Sequence, residues 1–258
     1  MVFLKNPVAK VSVMILVCLS LLTGGCEEVD LMLVSQAGVD AVKAVTLSEE
    51  AVRDLATQTA QFSDSQNKIA AGQDKYARRL QQLTDQHTKQ DGFEFNFKVY
   101  LTPEINAFAM ADGTIRIYSG LMDMMDDQEL LFVIGHEVGH VVKDHVRKKI
   151  RLAYAGQAVR KGVASINNEI GAIAGSQIGG FVEKLLNAQF SQQEEREADD
   201  YGLFFLENTG NEPKAAVSAL RKLATLGNNH SFLSSHPAPG ARAERLETRK
   251  REVEKGNE

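Results

Sequence analysis

His136, Glu137 and His140 lie in the order H-E-x-x-H within Leu130 to His145, LLFVIGHEVGHVVKDH. Residues four apart on an α-helix stand one above the other on one face, about 6 Å apart along the axis. Two imidazoles placed that way can each turn a ring nitrogen toward one metal ion. Zn²⁺ suits them, because it takes neutral nitrogen ligands at about 2.0–2.1 Å in a tetrahedral site. Glu137, beside the first ligand, has a carboxylate that can take a proton from a water on the metal. The two histidines still require a third ligand.

Glu195 is the best candidate. Ser191 and Glu194 form a capping box that opens a helix through Glu195, Arg196, Glu197, Ala198, Asp199 and Tyr201 to Leu206. Asn208 and Gly210 end it, and Pro213 begins the next. Glu195 and Asp199 share one face at i, i+4, so a carboxylate ligand has a second acid beneath it to orient the ligand set. Glu194 and Glu197 point elsewhere, toward solvent. Asn168-Glu169 is a rival carboxylate of the thermolysin-like kind, but no acid follows it four residues on. Metzincins place a Gly and a third His shortly after the motif; Lys143 and Val146 occupy those positions and exclude that class.

The elements that must hold these residues can be read in outline. Asp126 and Glu129 are an N-cap and N3 pair, and the apolar run Leu130 to Val142 reads as a buried helix. Gly135 and Gly139 weaken it but let another backbone approach the site. Upstream, Phe93, Phe95, Phe97, Val99 and Leu101 alternate with polar residues, the period of a half-buried strand. Asn106 to Met110 and Thr114 to Ser119 flank Ala111-Asp112-Gly113, a hairpin signal. Ser48-Glu49-Glu50 opens a helix to about Gln61, and Ser63 with Gln66 opens a second carrying Ile69, Tyr76, Leu80 and Leu83. His145, five residues past His140, faces away as a capping or surface residue. Ala153 to Phe181 is rich in Gly, Ala, Ser and Asn and reads as helix and loop near the cleft.

The first residues belong to no core. Lys5 and Lys10 precede an apolar run, Val11 to Leu22, too short to span a bilayer comfortably. It ends in Thr23-Gly24-Gly25-Cys26, similar to the lipobox of bacterial lipoproteins, with Thr23 where Leu is commonest. Of the two cysteines, Cys18 would leave with the leader and Cys26 would carry lipid. The mature chain would then hold no free thiol in an oxidising compartment. Glu27, rather than Asp, follows the cysteine and favours the outer membrane facing the periplasm. Losing Lys5 and Lys10 takes the net charge from −5 to −7, with no basic cluster for nucleic acid.

The H-E-x-x-H helix, then Glu195-Arg196-Glu197-Ala198-Asp199, then His236-Pro237 with Arg242, resemble the HtpX and CAAX prenyl endopeptidase family of gluzincins. The resemblance covers roughly Ser48 to Arg249, and with the lipobox it is closest to the periplasmic lipoprotein branch. It implies an α+β fold: a mostly helical, zincin-like metallopeptidase domain with a small antiparallel sheet beside the H-E-x-x-H helix. Residues 1–25 are then a lipoprotein signal peptide, 26–47 a lipidated tether and 48–258 the zinc metallopeptidase domain. It implies one Zn²⁺ per chain on His136, His140 and Glu195, with Asp199 supporting them. Asn106, Ala107, Phe108 and Ala109 would form the substrate strand, and His236 and Arg242 would be catalytic. The expected activity is cleavage of unfolded or misassembled envelope proteins, by a zinc-bound water with Glu137 as general base. The competing expectation is an outer-membrane lipoprotein acting as chaperone or assembly factor, its peptidase chemistry secondary or silent. Either would meet misfolded chains and possible envelope assembly partners.

Overall fold

The computed structural model describes residues 47–160, 175–227 and 231–256. The expected leader, Cys26, all of the tether but its last residue, Asn168 and Glu169 lie outside them. Two helices precede the sheet. Ser48 accepts the amide N–H of Ala51 and opens α1 (Glu49–Gln66), which buries Val52, Leu55, Ala56 and Ala60. Asp74 caps α2 (Lys75–Thr84). Here the structure corrects the sequence reading: Ser63 and Gln66 do not start a helix, because α1 runs through both. A short β-ribbon, β1 (Lys89–Gln90) and β2 (Phe93–Glu94), follows.

The main sheet has three strands in the order β3 (Asn96–Tyr100), β5 (Thr114–Tyr118), β4 (Ala107–Ala109). It is mixed, not antiparallel as expected. The predicted hairpin pairs β4 with β5 antiparallel, but β3 runs parallel to β5 on its other side. Every residue of β5 is buried, as befits a central strand covered on both faces. Arg116 sits within it at 2% exposure, so its charge needs a partner. Asp64 of α1 supplies one, accepting from Nε at 2.7 Å and Nη2 at 2.9 Å. Burial raises the Asp64 pKa, but hydrogen bonds from Arg116, Tyr100 and Lys98 outweigh that and hold it well below the usual carboxylate range. The first helix is thereby bolted to the middle of the sheet.

The sheet leads through α3 (Ser119–Met124) to α4 (Asp127–Val142), which carries the H-E-x-x-H motif. The predicted capping box is present: Asp126 accepts the Glu129 amide and Glu129 accepts the Asp126 amide, both at 2.9 Å. From Glu129 to Val141 every residue of α4 is buried, each large apolar side chain contributing about 1.5–3 kcal/mol. Then come α5 (His145–Arg160), α6 (Gly175–Asn187), α7 (Gln192–Asn208), α8 (Lys214–Ala224), α9 (Ser231–Ser235) and α10 (Pro239–Gly256). The molecule is thus the mostly helical α+β, zincin-like domain that was expected. No helix among the described residues is long and apolar enough to cross a membrane.

The most extensive contact is between α4 and α7. Glycines make it close. A Cβ on Gly139 would stand 2.9 Å from Cβ of Tyr201 and 3.2 Å from Cα of Ala198. One on Gly202 would stand 3.0 Å from the backbone N of His136. Both are closer than carbon contacts tolerate, so only glycine lets the two helices meet at the level of the motif. This approach brings Glu195 within reach of both histidines.

Candidate active site

His136, His140, Glu195 and His236 each offer a ligand atom, all four within 4.8 Å of one another, and all four residues are buried. His136 Nε2 and His140 Nε2 face each other at 3.0 Å. Glu195 Oε1 stands 3.4 Å from His140 Nε2, and Glu195 Oε2 stands 3.7 Å from His136 Nε2. The three ligands expected from sequence are therefore together. Burial holds the His140 pKa well below its usual value, so the ring is neutral and able to ligate. Burial raises Glu195, but Arg242 and His236 beside it outweigh that and keep it ionised.

The hydrogen bonds assign which ring nitrogens are bare. His136 Nδ1 lies 3.1 Å from Asp199 Oδ1, which can only accept, and 3.3 Å from Arg242 Nη2, which can only donate; in the tautomer that serves Asp199, Nε2 carries a lone pair. His140 Nδ1 lies 3.1 Å from His145 Nδ1, and His145 Nε2 lies 3.0 Å from Glu197 Oε2. With Glu197 accepting from His145, His145 accepts from His140, and His140 Nε2 is bare as well. Two lone pairs aimed at each other across 3.0 Å are repulsive unless a cation takes both. This arrangement, with a carboxylate at its rim, fits a divalent metal.

His145 and Glu197 correct the sequence reading, in which both were set apart from the site. The reason is a break in the helix. Asp144 has φ of +61°, in the left-handed region, so α4 stops at Val142 and α5 starts afresh at His145. That turn re-aims His145, which is 5% exposed, back onto His140. The Lys143-Asp144 pair before His145 was the available signal, since Asp tolerates this conformation better than most residues. Glu194 caps α7 as predicted and also pairs with Lys148 at 2.7 Å.

Asp199 and Arg242 stand behind the ligands. Arg242 donates through Nε to Asp199 Oδ2 at 2.9 Å and ion-pairs with Glu195. Burial raises Asp199, but Arg242 outweighs it and holds the carboxyl at about 2. Arg242 is 6% exposed and does not line the cleft, so it holds the ligand carboxylates in place and does not face a substrate. That revises its expected catalytic role.

His236 faces the opposite side of the site. Its Nδ1 is 3.0 Å from Glu195 Oε1, and its Nε2 is 3.4 Å from Glu137 Oε1. Two aromatic residues that the sequence did not single out fix these rings. Phe190 stacks on His140 at 3.7 Å between centroids, and Phe232 stacks on His236 at 4.5 Å. Glu137 Oε1 is buried and accepts no hydrogen bond among the described residues, which leaves a lone pair free to take a proton.

The cleft runs along β4. Asn106, Ala107, Phe108, Ala109 and Met110 form one wall, facing Glu137, His236, Phe190 and Leu185. The far edge of β4 has no strand partner among the described residues, so its backbone can hold an extended chain. The space left is about 20 Å³, room for about one water. A backbone bond from Phe190 N to Ser235 O, at 3.1 Å, ties the covering segments together.

Comparison with known proteins agrees with this geometry. The model of peptidase family M48 matches residues 70–250. The chain is 41% identical over 228 residues to the metalloprotease LoiP of Escherichia coli, covering 87% of this chain and 90% of LoiP. It is 36% identical over 236 residues to the metalloprotease YcaL of the same organism, covering 89% and 92%. The Escherichia coli beta-barrel assembly-enhancing protease is 29% identical over 162 residues, covering 57% of this chain and 33% of that protein.

Proposed function

The chain belongs to peptidase family M48 and is a metalloendopeptidase, and from this we propose a zinc-dependent enzyme that cuts unfolded or misassembled envelope proteins. The observation that carries the reading is the convergence of His136, His140 and Glu195 beside Glu137, against the open edge of β4. Zinc, when bound to those three residues, supplies Lewis acidity at the scissile carbonyl and acidifies water. The chain's own residues do the rest. The edge of β4 aligns an extended segment by backbone hydrogen bonds, which a folded protein does not present. Glu137 takes a proton from the attacking water at Oε1 and passes it to the leaving amine. Asp199 and Arg242 hold His136 and Glu195 in orientation, and His145 with Glu197 does so for His140. In an assay on an unfolded protein, chelation should abolish cleavage, and zinc should restore it at one equivalent per chain. Full activity after stripping to less than a tenth of an equivalent would refute the metal reading.

His236 closes the site at rest. As a fourth donor it would fill the position that a catalytic metal must keep open. His236→Ala should therefore raise basal cleavage several-fold with metal content unchanged. A fall in kcat instead would assign the ring to the developing oxyanion.

The same reading puts the enzyme at the outer membrane, facing the periplasm, held by lipid on Cys26. Its support is the lipobox-like run before Cys26, and the likeness to the beta-barrel assembly-enhancing protease supports an envelope substrate. Cys26→Ser should abolish lipid labelling and move the protein to the soluble fraction. Unchanged membrane recovery would mean another anchor.

A further inference from the structure

Beside the cleft lies an open pocket of about 440 Å³, between α5, the end of α6 and the start of α7. Lys149 and Phe190 line both the pocket and the cleft, so they form the wall between them. The pocket holds three lysines, Lys148, Lys149 and Lys184, against a single acid, Glu194. Glu194 is already engaged by Lys148 at 2.7 Å and by Ser191. In a chain with net charge −5, this pocket is locally positive.

Lys149 is its central feature. The ammonium lies 4.2 Å from the centre of the Phe190 ring, and no carboxylate lies within ion-pair distance of it among the described residues. Phe190 in turn stacks on His140, so Lys149 stands one ring away from the ligand set. This half-buried cation lies on an aromatic face and has no direct ion-pair partner among the described residues; Glu137, Glu195 and Glu194 act on it only from a distance. Burial pulls its pKa down from 10.5 to about 8, the direction expected of a desolvated ammonium that an anion would restore.

We propose that Lys149 and the pocket behind it form a substrate subsite for a carboxylate, borne by an acidic side chain near the scissile bond or by a free chain end. The proposal rests on the peptidase reading. A segment leaving the cleft past His140 meets Phe190 first, and its methylenes can lie on that ring while its carboxylate reaches Lys149. Leu152, Ala153 and Ala188 provide apolar surface for the stem.

The test is the pattern of cuts in an unfolded protein, mapped by mass spectrometry for the zinc-loaded full chain and its variants. The wild type should enrich Asp and Glu at one position beside the cut by roughly tenfold, the scale of one charge-assisted pair. Lys149→Met should lose that enrichment, Lys149→Arg should keep it, and Lys149→Glu should favour Lys and Arg instead. Peptides ending in a free acid or an amide separate the sources. Preference for the free acid over the amide assigns a chain end, and equal rates with a preference for Glu over Gln assign a side chain. Cuts without acid enrichment in the wild type together with equal rates on free-acid and amide peptides, or a preference of either kind unchanged in Lys149→Met, overturn the subsite and leave the peptidase standing. Wild type that makes no cuts at all overturns both.

Discussion

Glu137→Gln should lower peptide hydrolysis by about 10³-fold or more while the protein keeps its fold, its metal and its affinity for unfolded chains. Glu137 Oε1 is buried, accepts no hydrogen bond among the described residues and stands 3.4 Å from His236 Nε2, so it is the carboxylate placed to take the proton. General-base catalysis contributes typically 10²–10⁴ in rate, and the amide of Gln has no basic lone pair to offer. The substitution keeps volume and removes charge, so the zinc content, read by atomic emission, should not change. This separates peptidase from chaperone. A variant that suppresses aggregation as well as wild type, yet cuts nothing, still shows that wild-type cutting is chemistry of this site. If the variant cuts at the wild-type rate, Glu137 is not the base.

Arg242→Ala should be the most damaging substitution for stability. It strips the cation from two buried carboxylates, Asp199 and Glu195, which are 0% and 1% exposed. Leaving one partner of a buried pair uncompensated costs about 3–5 kcal/mol. For a domain of this size that lowers Tm by roughly 6–20 °C, at about 2–4 °C per kcal/mol. The loss should be smaller in zinc-loaded protein, where the metal balances Glu195, than in stripped protein. Arg242→Lys should rescue little, because an ammonium cannot fork across both oxygens of Asp199. Calorimetry of both forms checks this, and equal Tm values for wild type and alanine variant would contradict the arrangement.

The residues that converge at the site were legible because helix periodicity acts over four residues and needs no tertiary information. His136, Glu137, His140 and the i, i+4 pair of Glu195 and Asp199 follow from that rule, as do the capping boxes at Asp126 and Ser191. The glycine reading held too, since Gly139 admits Tyr201 and Ala198. Extrapolation failed where the helix did not continue. His145 was placed by counting along α4, but the left-handed Asp144 resets the count. Sheet direction failed for another reason. Alternation in Phe93 to Leu101 tells which face is apolar and says nothing of which strand lies alongside, so the parallel pairing of β3 with β5 was not visible. Phe190 and Phe232 were lone aromatics with no periodic partner, and only their stacking on His140 and His236 marks them.

The cleft of about 20 Å³ has a kinetic meaning. A peptide cannot enter until Phe190, Ser235 and the end of α6 draw away from β4, so all substrates draw on the same open fraction. A cover held shut by about 2.7 kcal/mol leaves about one molecule in a hundred open and divides kcat/KM by that same factor for each of them. The ratio between two substrates is untouched. The cover therefore sets the tempo of this enzyme, and the walls of the cleft set its choice.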